Sequence, residues 1–189
     1  MQTVEPIRDS RKLDAMKKYL RGKNMRDYAL FVLGINTGLR NGDLKSLKIC
    51  DIQSNTGKIT DRIYIHEKKT GKEKIFRINE TAQKALKEYL ATRPGAGQEE
   101  LLFPSREGGR ELTSQQIRNI ILSAARAVGV TERIGTTTLR KTFGYHARKK
   151  GVPVEVLMRI FNHSWPHVTL RYIGISQDEL EDVYLELNI

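Results

Sequence analysis

Cysteine is almost absent from this chain of 189 residues, in which Cys50 is the single example. One cysteine cannot build a disulfide framework, and it also excludes a metal site made from several thiolates. The chain has no apolar run approaching the roughly 18 residues of a membrane-spanning helix, and the first residues lack the apolar core of a signal peptide. We therefore expect a cytoplasmic protein with no membrane partner.

Acidic residues are also scarce relative to basic ones. The chain has 33 Lys and Arg against 22 Asp and Glu, giving a net charge of +11 and a pI near 9.8. This balance favours a polyanionic partner, most simply nucleic acid, over the alternative of a basic but merely solvated surface. An apolar fraction of 39% is enough for one domain with its own core.

The first part of the chain has helical periodicity. A helix over about 9–21 would end at Gly22, and an almost entirely apolar helix over about 25–36 would be central and buried. Gly38 would end this second helix, and Asn41 could cap a third.

The period then changes from helix to strand. Residues 62–66 and 74–78 alternate between apolar and polar side chains, and Lys69-Thr70-Gly71-Lys72 lies between them. This pattern predicts a β-hairpin with a basic tip, with a further strand possible near 57–60.

Helical periodicity returns after the hairpin and continues to the C-terminus. Thr113 and Gln116 match a capping box before one of these helices, and Gly151 and Pro153 separate two others. The predicted fold is mainly α with a small antiparallel β-sheet (α+β), in a single domain over 1–189. A last amphipathic helix over about 177–187 could fold back on this core.

Two arginines, a histidine and a tyrosine stand at informative separations. Tyr172 lies nine residues after His163 and thirty-two after Arg140, and Arg40 lies a hundred residues before Arg140. Guanidinium groups can clamp the non-bridging oxygens of a phosphodiester, and a tyrosine phenoxide is both a nucleophile and a leaving group. A lysine on the hairpin tip could protonate a leaving oxygen. Together these residue types indicate reversible DNA strand transesterification.

Five motifs carry a resemblance to a known family. The chain resembles the catalytic domain of the tyrosine recombinases of the phage integrase family over nearly its whole length. The motifs, in family order and spacing, are Thr37-Gly38-Leu39-Arg40, Lys69-Thr70-Gly71, Leu139-Arg140-Lys141-Thr142-Phe143, Phe161-Asn162-His163-Ser164 and Thr169-Leu170-Arg171-Tyr172.

The resemblance implies a role for each matching residue. Tyr172 would attack the scissile phosphate and form a 3′-phosphotyrosine link, while Arg40 and Arg140 clamp the phosphate oxygens. Lys69 would protonate the 5′-oxygen, and His163 would hydrogen-bond the phosphate. Of the neighbouring lysines, Lys68 and Lys72 compete with Lys69 for this assignment.

The resemblance also implies an accessory residue, the cofactor requirement and the partners. Asp43 would orient the arginines without touching DNA, and the reaction needs no cofactor and no obligatory metal. His163 and His167 could mimic a metal pair, but no third ligand accompanies them. The partner is double-stranded DNA, on which we expect a tetramer, with a monomer when DNA is absent. The resemblance also implies that residues 1–189 form one catalytic domain and offers a second reading of the helix over about 177–187, which could dock on a neighbouring protomer. We expect the 39 residues before Arg40 to be too few for the N-terminal core-binding domain of the family.

One position departs from the family pattern. The second arginine box usually begins with histidine, whereas Thr137 stands three residues before Arg140 here. A threonine hydroxyl can donate a hydrogen bond but cannot act as a base near neutral pH. Our hypothesis is that cleavage survives but slows. Two alternatives are a catalytically impaired DNA-binding module that regulates a full integrase, and a relaxing enzyme like the type IB topoisomerases.

Overall fold

The computed structural model describes residues 4–66 and 73–175, and it confirms the predicted fold class. Its regular elements are helices and one antiparallel strand pair. The elements are α1 (Ser10–Lys23), α2 (Met25–Thr37), α3 (Asn41–Ser46), a 3₁₀ turn (Ile49–Asp51), β1 (Arg62–His66), β2 (Glu73–Arg77), α4 (Glu80–Leu90), α5 (Ser114–Ala127), α6 (Thr138–Lys149), α7 (Val154–Phe161) and α8 (Pro166–Ile173).

Helix α2 is the centre of the core, as its apolar sequence predicts. Leu30, Phe31 and Leu33 have no exposed surface, and the helix packs against α1, α4 and α6. Gly38 ends α2 in the left-handed conformation at φ 64°, which a glycine adopts without the steric cost of a side chain.

The boundary between α1 and α2 differs from the prediction. Helix α1 does not end at Gly22 but continues to Lys23, because Asn24 ends it instead. Asn24 is extended, donates its N–H to the Leu20 carbonyl, and accepts a hydrogen bond from the Asp27 N–H with its side chain. One asparagine therefore closes α1 and caps α2, and Gly22 stays in the last turn of α1.

The predicted hairpin forms, and its register places apolar side chains inward. Strand β1 pairs antiparallel with β2, with Ile63 opposite Phe76 and both facing the core. The possible strand near 57–60 does not form, since Ile59 makes only an isolated bridge with Gln53. The hairpin tip, including Lys69, lies outside the described residues.

Two helix starts and a second small core complete the fold. The capping box at the start of α5 is confirmed, with reciprocal hydrogen bonds between Thr113 and Gln116. Arg40, and not Asn41, occupies the N-cap of α3. A small second core of Leu157, Phe161 and Ile173 joins α7 to α8.

Two further predictions concern membrane-spanning helices and the last helix of the chain. In the described part of the chain, no helix combines the length and apolar character needed to cross a bilayer. The predicted last helix over about 177–187 lies beyond residue 175, outside the described residues.

Candidate active site

The two motif arginines approach one another from separate turns. Arg40 follows the left-handed turn at Gly38 and caps α3 in an extended conformation with its side chain exposed. Arg140 lies in the first turn of α6 and is only 7% exposed. One guanidinium is thus presented to solvent and the other is held inside the protein.

Arg140 is held by backbone oxygens and by an aromatic ring. It donates from Nη1 to the Gly38 carbonyl and from Nη2 to the Ile160 carbonyl at 3.4 Å, and its Cζ lies 4.6 Å from the ring centre of Phe161. Burial lowers the pKa of Arg140, and the charge of Arg40 lowers it further. The charges of Tyr172 and Asp43 act in the opposite direction and raise it. Asp43 therefore acts electrostatically on the buried guanidinium.

His163 is fixed by the turn between α7 and α8. Its Nδ1 atom lies 3.0 Å from Thr169 Oγ1, and its backbone N–H donates to the Met158 carbonyl. Burial lowers the pKa of His163, and the charges of Arg140 and Arg40 lower it further. The imidazole is therefore neutral at pH 7.

Tyr172 packs in a group of aromatic and basic side chains. The centre of its ring lies 5.4 Å from that of Phe161 and 5.2 Å from that of His163. The Nζ atom of Lys141, a residue of α6, lies 5.2 Å from the same ring centre. Burial raises the pKa of Tyr172, while the charge and a hydrogen bond of Arg140, and the charge of Arg40, act in the opposite direction. The phenol is therefore protonated at neutral pH and lies within the influence of the buried Arg140 charge.

An open cavity of about 400 Å³ joins these groups. Five of the predicted site residues line it, namely Arg40, Thr137, Arg140, His163 and Tyr172. Asp43 is coupled to the site through its charge on Arg140. Lys69 lies outside the described residues.

Thr137 lies at the N-terminus of α6, where the helix begins at the cavity. It is the N-cap residue, yet its side chain makes no capping hydrogen bond and is exposed. The first turn of α6 has no acidic residue, so the positive end of the helix dipole is available to an anion in the cavity.

Several residues in and around the cavity were missed by the sequence reasoning. Asn41, Thr136 and Asn162 line the cavity, Phe161 lies under Arg140, and Thr169 holds His163. Asn162 is the only non-glycine residue at positive φ among those described. Their positions in the sequence could have identified most of them, because they are next to a predicted site residue.

The arrangement has the features of a site for a phosphodiester. Two guanidinium groups and a helix N-terminus supply positive charge, and a tyrosine hydroxyl and a neutral imidazole lie beside them. Within residues 4–66 and 73–175, no group of three or more His, Cys, Asp or Glu is placed to hold a metal ion.

Comparison with known proteins agrees with this reading. The sequence pattern of the phage integrase family matches residues 9–179. The chain is 39% identical over 184 residues to the probable integrase/recombinase YoeC of Bacillus subtilis (strain 168), covering 97% of each chain. It is 31% identical over 166 residues to the tyrosine recombinase XerC of Thermodesulfovibrio yellowstonii, covering 84% of this chain and 53% of that protein. The chain therefore spans about half the length of this XerC.

Solved structures share the fold at lower identity. The crystal structure of XerA recombinase matches with a TM-score of 0.78 at 21% identity, covering 100% of this chain and 66% of that one. XerH recombinase bound to a palindromic difH substrate, in a post-cleavage complex, matches with a TM-score of 0.73 at 19% identity, covering 97% of this chain and 53% of that one. With the family pattern and the YoeC match, these findings show that the chain belongs to the phage integrase family of tyrosine recombinases.

Proposed function

We propose that this chain is a site-specific DNA recombinase that cleaves and rejoins DNA through a 3′-phosphotyrosine intermediate. The observation that carries the proposal is that Arg40, Arg140, His163 and Tyr172 line one cavity, in which the charge of Arg140 acts on the Tyr172 phenol. This shared lining supports a nucleophile and a phosphate clamp that act on one phosphodiester.

The proposed step forms one bond and breaks one. Tyr172 Oη attacks the phosphorus, the bond to the 5′-oxygen breaks, and the protein becomes linked to the 3′-phosphate. Arg40 and Arg140 balance the charge that develops on the non-bridging oxygens, and such preorganised donors are worth about 100- to 1,000-fold in rate each. The 5′-oxygen takes its proton from Lys69.

His163 suits a role as hydrogen-bond donor to the phosphate. Its pKa is lowered by burial and by two arginines, so the imidazole carries no charge at pH 7. In the tautomer in which Thr169 donates to Nδ1, the Nε2 atom carries the hydrogen and donates it to a phosphate oxygen.

Thr137 accounts for a slow first step in this proposal. The phenol of Tyr172 has a raised pKa and must lose its proton during attack, and a threonine hydroxyl cannot accept it near neutral pH. The proton therefore passes to water, and the chain forgoes general-base assistance that is worth about 100- to 10,000-fold. Cleavage is retained but attenuated.

The proposal extends to partners and organisation. The partner is double-stranded DNA, consistent with a net charge of +11, and two DNA sites are held by a tetramer of chains. Residues 1–189 act as one catalytic domain. The energy of the broken bond is kept in the phosphotyrosine link, so rejoining needs no nucleotide cofactor.

The test is a detergent-quenched reaction of the purified chain with supercoiled plasmid that carries the DNA flanking its own gene. We expect a protein–DNA adduct that is absent from Tyr172→Phe and present in Tyr184→Phe, the matched control. Plasmid binding without any adduct, even for Thr137→His, would favour the regulatory DNA-binding module. Relaxed plasmid without exchange of strands between two sites would favour the topoisomerase-like alternative.

A further inference from the structure

The segment of residues 4–8 lies along α6 and is tied to it by hydrogen bonds. The Ile7 N–H donates to Thr142 Oγ1 at 3.0 Å, and Thr138 Oγ1 donates to the Glu5 carbonyl at 3.2 Å. His146 Nε2 lies 2.9 Å from the Ile7 carbonyl. We call residues 4–8 the N-terminal segment, and its partners follow one face of α6.

The same segment reaches the end of the helix that bears Tyr172. Arg8 Nη2 donates to the carbonyl of Gly174, the C-cap of α8, at 2.8 Å, and it also pairs with Glu5 Oε2 at 2.9 Å. A β-carbon on Gly174 would lie 2.9 Å from Arg8 Nη2 and 3.0 Å from Pro6 Cδ. Arg8 and Pro6 therefore pack directly against the turn that ends α8, two residues beyond Tyr172.

A second connection runs to the ring of Tyr172 itself. Lys141 Nζ donates to the Val4 carbonyl at 2.7 Å and lies 5.2 Å from the centre of the Tyr172 ring. The ammonium group is therefore held between the N-terminal segment and the nucleophile. Residues 4–8 therefore contact the end of α8 directly and the ring of Tyr172 through Lys141.

Helix α8 needs such support because it is short. It has eight residues, and an isolated helix of this length is unstable in water. A cation at a helix C-terminus interacts favourably with the last carbonyls. Arg8 supplies that cation from outside α8, and its ion pair with Glu5 orients it.

From these contacts we infer that the N-terminal segment positions Tyr172 for attack, with Arg8 as the positioning residue and Lys141 as the bridge to the ring. The inference rests on the proposed function, since it concerns the placement of the same nucleophile. Arg8 does not line the cavity and acts through α8. A displacement of about 1 Å in a reacting group can cost about 100-fold in rate.

The experiment compares Arg8→Ala, Arg8→Lys and Arg11→Ala. Arg11 is the matched control, because it is also an arginine of this region but its side chain is 93% exposed and, within residues 4–66 and 73–175, pairs with Asp9 alone. The single-turnover rate of adduct formation at saturating plasmid, the apparent DNA affinity and amide hydrogen exchange over residues 166–175 are measured for each. The plasmid carries the DNA flanking the gene, and a thermal melt verifies that each variant is folded.

We expect adduct formation about 10- to 100-fold slower in Arg8→Ala, with the same DNA affinity as Arg11→Ala and faster exchange at the end of α8. Arg8→Lys should recover part of the rate, because lysine can still donate to the Gly174 carbonyl. An unchanged rate of adduct formation in Arg8→Ala would overturn the inference, whatever the exchange over residues 166–175.

Hydrogen exchange separates this inference from the proposed function. If the unmodified chain forms no adduct, the proposed function fails, and faster exchange over residues 166–175 in Arg8→Ala alone still supports the anchoring of α8. If the adduct forms normally in every variant, the proposed function stands and the positioning role is wrong.

Discussion

Arg140 donates a hydrogen bond to the carbonyl of Gly38, across a separation of 102 residues. Gly38 lies two residues before Arg40, so this bond fixes the first arginine motif against the second. The left-handed conformation of Gly38 directs its carbonyl toward α6, and a β-carbon there would lie 2.5 Å from Phe143 Cδ1. The relative placement of the two motif arginines thus depends on a glycine.

Replacing this glycine should damage both stability and cleavage. Gly38→Ala puts a side chain at φ +64° and against Phe143, and the two effects cost about 1–2 kcal/mol and about 1–3 kcal/mol of unfolding free energy. Gly95→Ala is the matched control, since Gly95 has φ +82° but nothing within 4 Å of the added carbon. Chemical denaturation and adduct assays of both variants test this. An equal loss in the two variants would show that the contact with Phe143 is unimportant.

Arg140→Lys should bind DNA but cleave it slowly. Lysine keeps the charge but cannot donate to two carbonyls and a phosphate at once as the planar guanidinium does. We expect adduct formation to fall about 100- to 1,000-fold, while Arg106→Lys, at an exposed loop position, leaves it unchanged. Single-turnover assays at saturating DNA make the comparison, and a rate within the range of Arg106→Lys would contradict the clamp role.

Thr137→His should accelerate cleavage. The side chain of Thr137 is exposed in the cavity at the N-terminus of α6, where an imidazole could assist the loss of the Tyr172 proton. The gain could reach about 100-fold or more. Thr136→His is the control, because Thr136 lines the same cavity at the adjacent position. Equal rates for Thr137→His and the unmodified chain would mean that proton removal does not limit the reaction.

His163 should make the stability of the fold depend on pH. Its pKa in the folded state is lowered from 6.5, mainly by burial, so below about this pH the unfolded chain binds a proton that the folded chain excludes. This contribution to stability is present above the unfolded pKa and is lost as the pH falls toward the folded pKa. We expect the loss to be smaller in His163→Gln when urea unfolding is followed from about pH 7.5 to pH 5. Parallel curves for the two proteins would contradict the assignment.

Much of the architecture could be predicted because local signals agree with the final structure. The apolar run of α2, the glycine at its end and the capping box of Thr113 and Gln116 each act within a few residues of the chain. Local reasoning went wrong at Gly22, where Asn24 supplied a stronger helix end, and near 57–60, where too few partners were available to extend the sheet.

The sequence predicted which residues share a cavity, but not which backbone groups hold their side chains in place. Motif spacing placed Arg40, Arg140, His163 and Tyr172 in one reaction, and all four line one cavity. Arg140 is held by the carbonyls of Gly38 and Ile160. Lys141, beside the Tyr172 ring, and Arg8, at the end of α8, donate to the carbonyls of Val4 and Gly174. Every residue type has a carbonyl, so nothing in the sequence identifies which ones will be used.

The most direct test of the central claim is to identify the amino acid joined to DNA. The adduct formed with plasmid is digested with nuclease and trypsin, and the nucleotide-bearing peptide is sequenced by mass spectrometry. We predict a phosphodiester on Tyr172, in the peptide that begins after Arg171. A nucleotide found on another tyrosine, such as Tyr145 or Tyr184, or on a serine would contradict the account.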